Sequence, residues 1–312
     1  MLTRRNMLVL SGTSLLLAAC GQGHGEGKAG VLRVGSQRGG TKALLNASGV
    51  LDGIDYSIEW SEFPAAQPLL EAIGSNAVDV GVAGDAPFLF AYQAGSPIKA
   101  VQAQGVLERP ALALGILVAG TSSAHRLADL QGKRIATTRG SIGHYLILRA
   151  LADEKLPPDF VHITFLSPSD SKAALESGAV EAWSVWIPYI TLAIRDGYRV
   201  LIDGRTLISG AGFDVASNAA ITGKRDILKD FLAREAKALV WAKTHPDDYA
   251  KVLSEDTGLP FDVAREMALR NARVVIPFTP DFIAQQQKVV DTFRAAGEIK
   301  TSLPIGKAFQ TL

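Results

Sequence analysis

The chain has 312 residues, 47% of them hydrophobic and 20% charged, with a formal net charge of +1. That length suits two domains of roughly 100–150 residues with ample core, and the near-neutral balance gives no basic face of the kind nucleic acid requires. Cys20 is the sole cysteine, so no intramolecular disulfide forms and thiol catalysis is not expected.

The first segment in chain order stands outside the fold. Arg4 and Arg5 lead an apolar run from Met7 to Ala19, and Cys20 follows. A basic lead, a short apolar core and small residues before a cleavage point make an export signal. The run includes Ser11, Gly12, Thr13 and Ser14, too short and too polar beside the about 20 apolar residues of a membrane span. Leu17-Ala18-Ala19-Cys20 resembles the lipobox of bacterial lipoproteins, which makes Cys20 the expected lipidated N-terminus of the mature chain. Thr3 to Leu8 also resembles a twin-arginine export motif. Cleavage removes Arg4 and Arg5 and takes the formal charge from +1 to −1. Residues 21–30 are glycine-rich and polar, a tether between lipid and body. His24 has no second ligand nearby, so no metal is expected there.

Leu32 to Ser36 is a short, largely apolar run, as in a buried parallel strand, and Gly39-Gly40 ends it before a helix. Val78 to Ala83 is another, stopping on Gly84-Asp85-Ala86-Pro87. A Gly-Asp step with proline in the first turn is helix N-terminus chemistry. The plan then repeats: "LRVGSQRGGTKALL" and "LLEAIGSNAVDVGVAGDAP" return as "KRIATTRGSIGHYLILRAL" and "KAALESGAVEAWSVWIPY". Arg38-Gly39 falls on Arg139-Gly140, and Ser75, Val78 and Asp79 fall on Ser177, Val180 and Glu181. This predicts two like-built α/β lobes. The first takes 31–115 and 222–312, the second 116–221, with crossings near Ala111 to Val118 and Phe213 to Ile221. From Gly223 onward the pattern is helical, with stops at Pro246 and Gly258, and Thr279-Pro280-Asp281 opens a last helix.

Four loops then face one cleft: Gln37 to Thr41, Gly84 to Pro87, Gly140 to Ile142 and Trp186 to Tyr189. A helix N-terminus carries about half a positive charge and free N–H donors, so their convergence favours an anionic ligand. Asp85 has two readings, a cap on its own helix or a carboxylate that receives an ammonium group. Arg38, Arg109 and Arg139 are candidate counterions, because a guanidinium offers a fork of donors to a tetrahedral anion. Ser141 either donates its hydroxyl or caps its helix. Of Trp183 and Trp186, the second is the better surface for an apolar tail, since it precedes Pro188 in a cleft loop. An enzyme is not expected: "RGSIG" is not a G-x-S-x-G elbow, and His-Glu-x-x-His is missing.

Five segments carry a family resemblance: "LRVGSQRGG", "EFPAAQPLLEAIGSNAVDVGVAGDAP", "LADLQGKRIATTRGSIGHYLILRAL", "SDSKAALESGAVEAWSVWIPY" and "FIAQQQKVVDTFRAAG". In this order the chain resembles the substrate-binding proteins of bacterial ABC importers for aliphatic sulfonates, taurine and nitrate, the sulfonate branch most of all. The resemblance implies an α/β, two-lobed periplasmic-binding-protein fold (type II) with the ligand in the interlobe cleft. It also implies a small organosulfonate or similar oxyanion as ligand, a membrane permease and ATPase complex as partner, a monomer at the periplasmic face, and no cofactor. The ligand-side positions it implies are Gln37, Gly39, Gly40, Gly84, Asp85, Ala86, Gly140, Ser141, His144, Trp183 and Trp186. Arg109 and Asp214 complete the candidate set. Ile187 and Asp214 depart from the branch, which has aspartate and an aromatic at those places, and both are expected to line or border the site.

Overall fold

The computed structural model describes residues 30–106, 112–270 and 272–312. The export signal, Cys20, the tether as far as Ala29, and Arg109 lie outside the described residues. The chain first lays down β1 (Val31–Gln37), α1 (Thr41–Ser48), β2 (Ser57–Phe63), α2 (Ala66–Gly74), β3 (Val80–Gly84), α3 (Asp85–Gln93) and β4 (Ile98–Val106). It crosses and builds β5 (Leu114–Val118), β6 (Arg134–Thr137), α4 (Ile142–Asp153), β7 (His162–Phe165), α5 (Pro168–Glu176), β8 (Ala182–Trp186), α6 (Tyr189–Arg195) and β9 (Arg199–Asp203). It returns as β10 (Gly212–Ser217), α7 (Asn218–Gly223), α8 (Arg225–Thr244), α9 (Pro246–Thr257), α10 (Phe261–Arg270), β11 (Arg273–Ile276) and α11 (Pro280–Ala295).

Two sheets result, in the orders β11-β4-β10-β3-β1-β2 and β7-β6-β8-β5-β9. The sequence repeat is a structural one: β1 pairs in parallel with β2 and β3, as β6 does with β7 and β8. The repeated acid does the same work in each lobe. Asp79 accepts the backbone N–H of Arg33 at 2.7 Å and Glu181 that of Arg134 at 2.8 Å, each fastening the next strand beside the first.

The lobe boundary differs from the expected one. Strand β10 lies inside 116–221 yet pairs antiparallel with β3 and β4 of the first sheet, while β5 begins at Leu114 and pairs with β8 and β9 of the second. In each sheet the return strand covers the edge of the parallel set that the short β3 or β8 would leave open, and an uncovered edge strands backbone donors and acceptors.

Local rules account for the helix ends. Pro246 starts α9 and Gly258 ends it in the left-handed conformation, φ 68°. Thr279 accepts the N–H of Phe282 at 3.2 Å to cap α11. Helices α8 to α10 pack on the β1–α1 side of the first lobe through Phe231, Leu232, Leu239 and Met267. Helix α11 joins the lobes: Phe293 is fully buried, with its ring 5.3 Å from Phe90 of α3 and 5.2 Å from His144 of α4.

Candidate functional site

The sheets turn the carboxyl ends of their parallel strands toward one cavity of about 450 Å3. This is where open α/β sheets present loops and helix N-termini to ligands. On the first-lobe wall stand Gln37, Gly40, Gln67, Gly84, Gln104 and Arg273; on the second stand Ser141, Ile142, Trp186, Ile187 and Tyr189.

The β1–α1 turn is held by its own backbone. Gly40 N–H donates to Gln37 O at 2.8 Å, and Ser36 Oγ accepts the N–H of Lys42 at 3.1 Å. Gly39 has φ 72°, and a Cβ there would stand 2.9 Å from Thr257 Cγ2, so glycine is required on both counts. The N-cap residues Gly40 and Ala65 give no side-chain bond to α1 and α2, which start beside the cavity at Thr41 and Ala66; in α1 Ser36 holds only the Lys42 N–H. Gln37 is fixed by its side-chain amide, which donates a hydrogen bond to Val82 O at 3.1 Å. Gln67 reaches across the lobes to Arg139 O at 3.2 Å, leaving its buried Oε1 without a donor among the described residues.

Helix α3 behaves differently. Asp85 is fully buried, accepts its neighbour's N–H (Ala86) at 2.7 Å and the Ser209 hydroxyl at 2.6 Å, and gives its own N–H to Ala211 O at 3.1 Å. Asp85 stands one place past the N-cap Gly84, but with its own N–H and that of Ala86 engaged and Pro87 lacking one, α3 keeps no open first turn for an anion. Burial raises the carboxyl pKa of Asp85, against the pull of the Ser209 and Ala86 bonds.

Six of the expected residues reach the cavity wall: Gln37, Gly39, Gly40, Gly84, Ser141 and Trp186. Ser141 is also the cap of α4, accepting the N–H of His144 at 3.1 Å. Trp186 meets Tyr189 edge-on with centroids 6.3 Å apart. Ile187 lines the cavity too.

Six others do not reach it. Asp85 and Ala86 are both fully buried behind it. Gly140 has φ 68° and faces Phe90, where a Cβ would stand 2.7 Å from the ring; it serves lobe contact. His144 is fully buried between the rings of Phe165 and Phe293, with Nδ1 accepting Gly140 N–H at 3.2 Å. Burial, then the positive charge of Arg139, lowers its pKa to about 3. Trp183 is 2% exposed in the core of the second lobe, because side chains alternate along β8 and only Trp186 ends the strand at the cavity. Asp214 is fully buried one layer behind the wall. Among the counterion candidates, Arg38 lines the cavity but donates to Thr257 O at 2.6 Å, whereas Arg139 lies over the Phe165 ring and pairs with Glu298.

The cavity also holds charged residues that sequence reasoning missed. Arg273, at the start of β11, donates to Gly210 O at 3.0 Å, and Gly212 makes room for it, since a Cβ there would stand 2.8 Å from Nη1. Burial lowers its pKa, opposed by the charges of Asp85, Tyr249 and Asp214. Arg205 and Arg270 also line the cavity, as does Glu235 of α8. Glu235 had one signal: it is an acid on the apolar face of α8 formed by Leu228, Phe231, Leu232 and Leu239.

Two α/β lobes that share a cavity at the ends of their parallel strands define a protein of the periplasmic-binding-protein fold. Residues 53–249 match the family described as NMT1/THI5 like, and the chain belongs to that family. It is similar to an Escherichia coli (strain K12) protein named for binding aliphatic sulfonates, 32% identical over 294 residues, 93% of this chain and 91% of the other. The solved alkanesulfonate-binding protein of Xanthomonas axonopodis pv. citri, bound to MOPS, is 31% identical with a TM-score of 0.83, over 90% of this chain and 98% of the other. A desulfurization enzyme shares the fold at 16% identity and a TM-score of 0.65, over 90% of this chain and 96% of its own.

Proposed function

We propose that this chain captures an organosulfonate outside the cytoplasm and delivers it to an ABC permease and ATPase complex. It does so as a monomeric lipoprotein anchored through Cys20, and it binds and releases without chemistry. One observation carries the ligand class: α1 and α2 begin, with no capping side chain at Gly40 or Ala65, at a cavity that also holds the Arg273 guanidinium. Helix N-termini and a half-buried guanidinium together suit a tetrahedral oxyanion. Four arginines and one acid line the wall, Arg38, Arg205, Arg270 and Arg273 with Glu235, and of these Arg270 is paired with Glu266. The organic tail lies against Trp186 and Ile187. Contacts from both lobes favour the closed form, because only that form supplies both sets.

The test is calorimetric titration of the mature chain with ethane-, hexane- and benzenesulfonate, taurine, sulfate and nitrate. Micromolar or tighter binding of an organosulfonate with sulfate silent supports the reading. Silence across the sulfonates with a response to nitrate overturns the ligand class.

A further inference from the structure

The chain passes between the lobes from β4 to β5 and again from β9 to β10, and each passage meets an arginine from one corner of the first lobe. Arg270, the last residue of α10, donates through Nη1 to Leu112 O of the first passage at 3.0 Å. Arg273, the first residue of β11, donates through Nη1 to Gly210 O of the second passage at 3.0 Å, with a longer contact to Gln104 O of β4 at 3.5 Å. Both arginines line the cavity.

The second passage is held at three consecutive residues, each by a different group of the first lobe. The Ser209 hydroxyl donates to Asp85 Oδ2 at 2.6 Å, Gly210 O accepts from Arg273, and Ala211 O accepts the Asp85 N–H at 3.1 Å. Asp85 grips from behind the wall and Arg273 from the wall itself. The passage is also wall, since Ile208 to Gly212 all line the cavity. Gly210 has φ 72°, and glycine turns there at little cost. A swing of its carbonyl away from Arg273 is therefore the bend that strains this passage least.

We propose that Arg273 is a positioning residue that couples a bound anion to lobe closure, with Asp85 as the fixed point against which the passage turns. The inference rests on the oxyanion reading above. A guanidinium is one rigid plane with its donors in a fixed fork. The direction in which it meets an anion and the direction in which it holds Gly210 O are therefore set together. An anion seated on Arg273 favours this geometry of the passage, and with it the placing of Trp186 and Ile187 on the cavity wall. The Gly84-Asp85 step thereby serves the hinge, at a residue that stands behind the wall.

The experiment follows hydrogen exchange of the Asp85 amide in the mature chain, free and saturated with hexane-1-sulfonate. That amide is fully buried behind the cavity and exchanges when the passage releases it. Binding should slow its exchange about tenfold, within the range of coupling between sites. Arg273→Lys keeps the charge and loses the fork, and at saturation its slowing should be less than about twofold. Ser209→Ala leaves Arg273 in place and serves if the lysine variant folds or binds poorly. It should raise the dissociation rate of hexane-1-sulfonate about fivefold, with the association rate held within about twofold. Full slowing in Arg273→Lys, or an unchanged dissociation rate in Ser209→Ala, overturns the proposal. Binding to the parent chain without slowing at Asp85 removes the coupling and leaves the sulfonate reading standing. Failure of the sulfonate to bind removes both.

Discussion

Asp79 and Glu181 occupy equivalent positions, but burial separates their energetics. Asp79 accepts Arg33 and Lys224, each at 2.6 Å, with its side chain 2% exposed; Glu181 meets Arg134 at 3.2 Å with 34% exposed. Removing one partner of a buried ion pair costs about 3–5 kcal/mol, and an exposed pair is worth ~0–1 kcal/mol. Both cations on Asp79 are partly exposed, so Asp79→Asn should cost about 2 kcal/mol and Glu181→Gln under about 1 kcal/mol in urea unfolding. Burial alone would raise the Asp79 pKa, but the Arg33 and Lys224 bonds outweigh it and hold the carboxyl below its usual range. Its contribution is present above the unfolded pKa and is lost as pH falls through the folded one. His144 adds a second acid-sensitive window. Its pKa drops from 6.5 to about 3, so within that window the unfolded chain binds a proton the folded chain refuses. Stability should therefore fall as pH falls from 6.5 toward about 3. His144→Gln should flatten that limb in denaturant titrations; an unchanged slope would show that His144 is not buried neutral.

Among the elements, α11 and the Gly140 turn decide how the lobes meet. Phe293 packs on Phe90, His144 and Tyr145, so α11 touches both lobes with one ring. Phe293→Ala should cost about 3–5 kcal/mol by cavity creation, read as a lower urea midpoint with an unchanged slope. Gly140 meets Phe90 at the same junction. A bulkier residue there would be strained at φ 68° and would press on the ring. Gly140→Val should weaken ligand binding roughly tenfold, about 1.4 kcal/mol, without removing a cavity contact. Arg225→Ala, at the start of α8, should leave the titration unchanged.

For the molecule as a whole, binding should be visible as stabilisation and compaction. A ligand at a hundred times its dissociation constant adds about 2.7 kcal/mol to the folded state. The mature chain should accordingly melt higher with a bound sulfonate and show a smaller radius of gyration in solution scattering. A higher melting temperature with unchanged scattering would indicate that the lobes already rest closed. The exposed Arg195–Asp262 pair ties α6 to α10 across the lobes. As a surface ion pair it is worth under about 1 kcal/mol, so Arg195→Ala should change affinity by less than about fivefold.

Much of the fold was legible because its signals are local. Glycines at positive φ, prolines at first helical positions and short apolar runs mark the strand, turn and helix boundaries wherever they occur, and the Asp79–Glu181 spacing exposed the repeat. The sequence alone therefore determined two like-built α/β lobes and a set of loops at their strand ends. Tertiary structure decided what depends on distant segments meeting. The return of the chain from β9 put β10 in the first sheet, and the pleat of β8 sent Trp183 to the core and Trp186 to the cavity. Ser209 and Ala211 closed the α3 N-terminus around Asp85. Gln104, Asp214 and Arg273 became neighbours only when β4, β10 and β11 paired and packed, because side-chain chemistry specifies each residue but only its place beside the others sets its partner.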